Sequence, residues 1–219
     1  MGSFLPNIIR EKIRHTNLYI SLSRRPFKEK SINIIHNKGI IFIHNPKTGG
    51  TSIKSMLKIP IDKADHKTPT YLVHRKTWEK YFSIVVVRNP FSRLVSSFSY
   101  HTNQKYQGYF YEKYPSLHSL DFDEYFDLMK HEPFVIAPQI LYIKHKQSNK
   151  KADFICKFDR LNTDIPRLFN EVFNYEYNIE TPHLNRSNHK DYRTYFTPSM
   201  RKRVEDFYSE CLTYFGYQF

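Results

Sequence analysis

The sequence predicts an α/β fold, a three-layer sandwich around a central parallel sheet. Two continuous apolar runs, "GIIFIH" (39–44) and "YFSIVVVR" (81–88), are bounded by turn residues, as strands buried on both faces are. Each run leads into a stretch of helical spacing, so strand and helix alternate. A third run, "DFICKF" (153–158), precedes a further helix expected over about 164–174.

The 219 residues suit one domain with a sizeable core and one insertion. An apolar content of 40%, with 18 Phe and 17 Tyr, excludes a disordered chain, and only six Gly exclude a fibrous one. Residues 1–38 read as a basic N-terminal arm with a short helix near Ile8–Tyr19, and residues 39–219 as the domain. In "RNPFSRLVSSFSYH", Asn89 is a helix N-cap and Pro90 stands at the first helical position. Phe91, Leu94, Val95 and Phe98 then recur at helical spacing and form the face packed on the sheet. Residues 103–126, crowded with Tyr, Lys and Asn, read as an insertion or lid. Thr197-Pro198 opens one last helix, with Met200, Val204, Phe207, Tyr208, Cys211 and Phe215 along one face and Gly216 at its end.

The formal charge is +13, from 34 basic and 21 acidic residues, and it favours an anionic ligand: a nucleotide, nucleic acid, acidic glycan or membrane surface. Cys156 and Cys211 form no disulfide framework and no zinc-site spacing, and are expected to be reduced core thiols. No run of about 18 apolar residues spans a membrane, and the first 40 residues lack a signal peptide's apolar block. Pro6 counts against myristoylation. A soluble cytoplasmic protein is the expectation, with the Golgi an alternative only for a chain that has lost an anchor.

The stretch "FIHNPKTGGTSIKSML" (42–57) runs from strand through a glycine turn into a helix, a P-loop-like arrangement whose backbone N–H groups converge on an anion. The nucleotide-kinase loop, G-x-x-x-x-G-K-[ST], places its lysine after the glycines and follows it with a magnesium-binding hydroxyl. Here Lys47 precedes them, so no metal is expected. Lys47, Thr48, Gly49, Gly50, Thr51 and Ser52 are candidates to hold one phosphate. Arg88, a rigid fork at the next strand's end, would hold a second together with Ser96, which shares a helix face with Ser92. A ligand with two separated phosphates is implied.

At these residues the chain resembles a known family. "FIHNPKTGGTSI" is similar to the 5′-phosphosulfate loop, and "IVVVRNPFSRLVSSF" to the 3′-phosphate segment, of sulfotransferases that use 3′-phosphoadenosine-5′-phosphosulfate (PAPS). "FDRLNTDI" (158–165) and the stretch from His183 to Phe219 extend the likeness, which covers about residues 38–219 and is nearest to the carbohydrate sulfotransferases acting on heparan- and chondroitin-type glycans. The sequence departs from the family at Asp159, where Glu is commoner, at Cys211, where Asp is commoner, and in lacking a membrane anchor, which suits a bacterial or viral enzyme.

The resemblance implies in-line sulfuryl transfer, with Lys47 stabilising the leaving phosphate. It also implies His66 as general base, in a His-x-Thr element ahead of the strand arginine, with His74 the second candidate, Asp65 the next after it, and His44 shaping the loop. Tyr192 and Arg193, with Ser187 and Lys190, would fold over the nucleotide, or else form a solvated basic loop. Arg93 reads as a surface or helix-packing residue, and Ser97 and Ser99 as structural. Residues 100–125 read equally as an acceptor groove and as a packed subdomain. A glycan is the expected acceptor, with a tyrosyl peptide, lipid or small metabolite open, and neither nucleic acid nor a membrane span is expected. A non-catalytic binder of nucleic acid or acidic glycan and a P-loop kinase are the alternatives in other classes. The sequence carries no sign of oligomeric state.

Overall fold

The computed structural model describes residues 31–63, 65–132, 134–173 and 190–219. The helix expected near Ile8–Tyr19 and Ser187 of the closing loop lie outside these residues. Strands β1 (Ile34–Ile35), β2 (Ile40–Ile43), β3 (Phe82–Val87) and β4 (Phe154–Lys157) form one sheet in that order. β2, β3 and β4 are parallel, with Ile43 beside Val85 and Val87 beside Lys157. β1 pairs antiparallel with β2 across a turn in which Gly39 takes the left-handed conformation (φ 62°). The sheet therefore starts inside the segment expected to be the basic arm. Two adjacent isoleucines in polar surroundings are too short to show a strand's period, and only their pairing with β2 reveals them.

Between β2 and β3 lie α1 (Gly50–Met56), α2 (Pro69–Leu72) and α3 (Arg75–Lys80). Between β3 and β4 come α4 (Pro90–His101), α5 (Tyr109–Lys113) and α6 (Phe122–Met129), and after β4 come α7 (Leu161–Arg167), α8 (Pro198–Phe207) and α9 (Ser209–Phe215). Side chains alternate across the sheet. Ile41, Ile43, Val85 and Val87 join a core with Phe91, Leu94 and Val95 of α4, whereas Ile40, Phe42, Ile84, Val86, Phe154 and Cys156 join another with Ile53, Leu57 and Ile165. Two buried faces give three layers, and they explain why β2 and β3 are apolar throughout rather than alternating.

The local signals at helix ends hold. Asn89 Oδ1 accepts the Phe91 N–H at 3.0 Å with Pro90 next to it, and Thr197 Oγ1 accepts the Met200 N–H at 3.1 Å. Gly216 ends α9 at φ 67°. The last helix is nevertheless two, broken at Tyr208, whose hydroxyl donates to the Ile136 carbonyl at 2.6 Å. The helix after β4 begins at Leu161, earlier than expected. Pro166 removes a donor from its ladder, and the following turn, Leu168–Val172, widens to π geometry. Leu117, Phe122, Tyr125 and Phe126 bury the 103–126 segment in the main core, while Tyr109 stays exposed, so this segment is a packed wall of the domain.

After α6 an irregular strap runs through the core, and its buried carbonyls need partners from elsewhere. Side chains supply them. Phe134 O accepts from the Tyr142 hydroxyl at 2.9 Å, Ile136 O from Tyr208, and Val135 O and Ala137 O from the Arg93 guanidinium at 3.4 and 3.0 Å. Tyr208→Phe should therefore leave a buried carbonyl unpaired at almost unchanged packing. A loss of about 1–3 kcal/mol of unfolding free energy is expected in urea denaturation.

Candidate active site

β2 and β3 end side by side at the carboxyl edge of the sheet, where open α/β folds bind ligands, and each is followed at once by a loop of candidate residues. In the first loop the Thr48 hydroxyl closes the turn on Asn45 O at 2.8 Å, and Gly49 is left-handed at φ 76°. Lys47 is left-handed too, at φ 63°, which a side chain makes costly. Thr51 and Ser52 form the first turn of α1, where Ser52 N–H bonds Gly49 O at 3.1 Å. Gly50 lies so close beneath the His44 ring that any Cβ there would overlap it.

The second loop is joined to the first through Arg88. Its Nη1 donates to Lys47 O at 3.2 Å, its Nε donates to Ser92 Oγ at 3.0 Å, and its guanidinium lies 4.4 Å from the centre of the Phe158 ring. The same ring stands 3.0 Å from where a Cβ on Gly49 would be. Ser96, one turn beyond Ser92, is buried on the same helix. Arg93 is not a surface residue: it is 1% exposed, and besides the strap it donates to Pro46 O at 3.2 Å.

Burial tunes the charges. It lowers the Lys47 ammonium to a pKa of about 8, with neighbouring Arg88 adding to the effect. Arg88 falls to about 10, again through burial and then through Arg93. The Lys47 ammonium rests over the Tyr100 ring, 4.0 Å from its centroid. Desolvated cations of this kind lose stability by being charged and regain it beside an anion.

His66 approaches the first loop from the chain between α1 and α2. Its Nδ1 donates to His44 O at 2.9 Å, which fixes the neutral tautomer with the lone pair on Nε2. The His44 and His66 rings are 4.3 Å apart. Burial first, then His66 and Lys54, pushes His44 down to about 3, so it is neutral. His66 is also lowered from 6.5, mainly by burial, with the His44 carbonyl and Asp65 acting in the opposite sense. Asp65 accepts from the Ser31 hydroxyl at 2.8 Å and from Lys67 at 3.4 Å. His66 borders an open cleft of ≈ 480 Å³ lined also by Ser31, Lys63, Asp65, Lys67 and Phe134. His74 lies apart from this group, exposed at the N-cap of α3.

The closing segment is placed differently from the two loops. The Tyr192 ring packs on Phe219, which packs on Phe91 beside Asn89, and exposed Arg193 pairs with Asp191 and stacks on Tyr192. Gln139 escaped the sequence reading, although it is the one polar side chain in the apolar run "FVIAPQILYI" (134–143), whereas Tyr100 and Phe158 lie in segments that the reading singled out without giving either residue a role.

No curated protein and no solved structure matches the chain significantly. A sequence model described as the Sulfotransferase family matches residues 30–218, a span that takes in the whole sheet, both loops and the closing segment. It begins ahead of β1, as the observed sheet requires. The chain belongs to the sulfotransferase family.

Proposed function

We propose that the protein moves a sulfuryl group from PAPS to an acceptor hydroxyl, or amine, most readily on a carbohydrate. The observation that carries this reading is the contact of Arg88 with Lys47 O, which ties together the two candidate loops that follow β2 and β3. The residues fit a donor with separated phosphates: Gly49 and Gly50 let the loop backbone pack directly against Phe158 and His44, and Lys47 and Arg88 are cations poorly solvated without an anion.

When bound, the donor supplies the sulfuryl group and an adenosine bisphosphate leaving group. Lys47, with the backbone of Thr48 to Ser52, holds the 5′ end and stabilises the negative charge that grows on the leaving oxygen. Arg88, oriented by Ser92, holds the 3′-phosphate with Ser96. Tyr192 and Arg193 close on the nucleotide from the α4 side. His66 Nε2 takes the acceptor's proton, and His44 keeps it in the competent tautomer. The cleft beside His66 receives the acceptor, with Phe134 to face a sugar ring and Lys63 and Lys67 to meet anionic groups. No step requires a metal. Cys156 and Cys211 are free and buried, which fits a reducing compartment such as the cytoplasm.

Adenosine 3′,5′-bisphosphate should raise the melting temperature well above the shift given by ADP at equal concentration, because only a ligand of the native state stabilises it. Equal shifts would refute the two-phosphate reading.

The pH dependence has a definite sign. Transfer needs His66 neutral, so kcat/KM should rise with pH through a value below the ordinary 6.5. Donor binding needs Lys47 protonated, so kcat/KM should fall as pH rises through about 8. The profile is a bell, and Lys47→Ala should abolish its alkaline limb; a limb that persists in that variant removes Lys47 from the mechanism.

His66→Ala should leave donor affinity nearly intact in calorimetry while slowing transfer by about 10²- to 10⁴-fold. Near-normal turnover in that variant would exclude His66 as the base.

A further inference from the structure

We infer that Gln139 is a positioning residue that clasps the two loops at a fixed separation, so that one ligand carrying two phosphates is bound as a unit. The inference rests on the two-phosphate reading above. The hydrogen-bond ladder between β2 and β3 stops where the strands stop, and pairing of the strands does not by itself fix the distance between the loops that follow. Gln139, fully buried, takes over at that point. Its Oε1 accepts from Asn45 Nδ2 and from the Arg88 N–H, each at 2.9 Å, while its Nε2 donates to Arg88 O at 2.6 Å. Asn45 Nδ2 also reaches Val86 O at 3.1 Å.

One carboxamide thus bonds the side chain two residues past β2 and both main-chain groups of the residue that follows β3. The orientation of the amide follows from its partners: two N–H donors face the oxygen, and a carbonyl faces the nitrogen. Glutamate has no donor for Arg88 O, asparagine is one methylene short, and leucine fills the space without bonding. The strap bearing Gln139 is itself fixed by Arg93, which ties Ala137 O and Pro46 O in parallel with the clasp, and by the Ile140 N–H on Cys211 Sγ at 3.4 Å. A fixed separation makes the second phosphate contact intramolecular once the first has formed, which raises affinity without any new contact.

The test compares adenosine 3′,5′-bisphosphate with adenosine 5′-monophosphate and adenosine 3′-monophosphate by calorimetry on wild type and Gln139→Leu. In wild type the bisphosphate should bind more tightly than either monophosphate. In Gln139→Leu the monophosphates should stay within about threefold of their wild-type affinities, while the advantage of the bisphosphate falls by about tenfold or more. The ratio does not depend on the fraction of protein folded. Should Gln139→Leu not fold, Asn45→Ala severs the β2 side alone and reads the same ratio. An undiminished advantage in the folded variant overturns the clasp, as does equal weakening of all three ligands, which marks a purely structural role. A wild type that shows no bisphosphate advantage overturns the two-phosphate reading itself and the coupling with it.

Discussion

Arg93 carries a positive charge into the core, and among the described residues its guanidinium donates to carbonyl oxygens alone, those of Pro46, Val135 and Ala137. A buried ion without such bonds would cost several kcal/mol. Dipoles satisfy its hydrogen bonds without cancelling its charge. Arg88 is lowered mainly by its own burial and further by Arg93. Lys47 is likewise lowered mainly by burial and then by Arg88. Like charges are thus stacked from Arg93 through Arg88 to Lys47 at the edge of the sheet. The strap that shields Arg93 and the aromatic rings beneath Arg88 and Lys47 hold these like charges close together.

The histidine pair shows the complementary strategy. His44 and His66 are both kept neutral by burial, and the close fit of Gly50 under the His44 ring fixes the ring and, with it, the carbonyl that orients His66. Under the proposed function, this arrangement concentrates positive charge beside the donor and keeps it away from the proposed base. Tyr125, His101 and Ser97 extend the neutral side: the tyrosine hydroxyl lies 2.8 Å from Ser97 Oγ and 2.7 Å from His101 Nδ1, and burial brings His101 down to about 4.

Much of this was legible in the sequence wherever the cause is local. The apolar runs of β2 and β3, the Asn89-Pro90 helix start, the Thr197 cap and the Gly216 stop all depend on residues within one turn of each other. The glycine loop and Arg88 could be placed at one edge because adjacent parallel strands leave no other arrangement. What stayed hidden depends on distant partners. β1 needs β2 to be a strand, and the break at Tyr208 needs the Ile136 carbonyl 72 residues away. Arg93 could be read equally as a surface or a helix-packing residue because nothing in its own helix announces the carbonyls of the strap. His66 could be singled out by likeness to a family, but its tautomer is set by a main-chain oxygen, which has no sequence signature.

The clasp also bears on how the protein reaches this state. Asn45 meets Gln139 across 94 positions, Asn89 meets Gln218 across 129, and Tyr217 reaches Val87 across 130. Contacts of such long range form only after large loops have closed, which makes them slow and late. The helices can nucleate early from their own caps, but the anion-binding edge is assembled when the strap and the segment after α9 dock onto it. The edge that carries the candidate site is thus completed only in the final collapse, after the helices have formed.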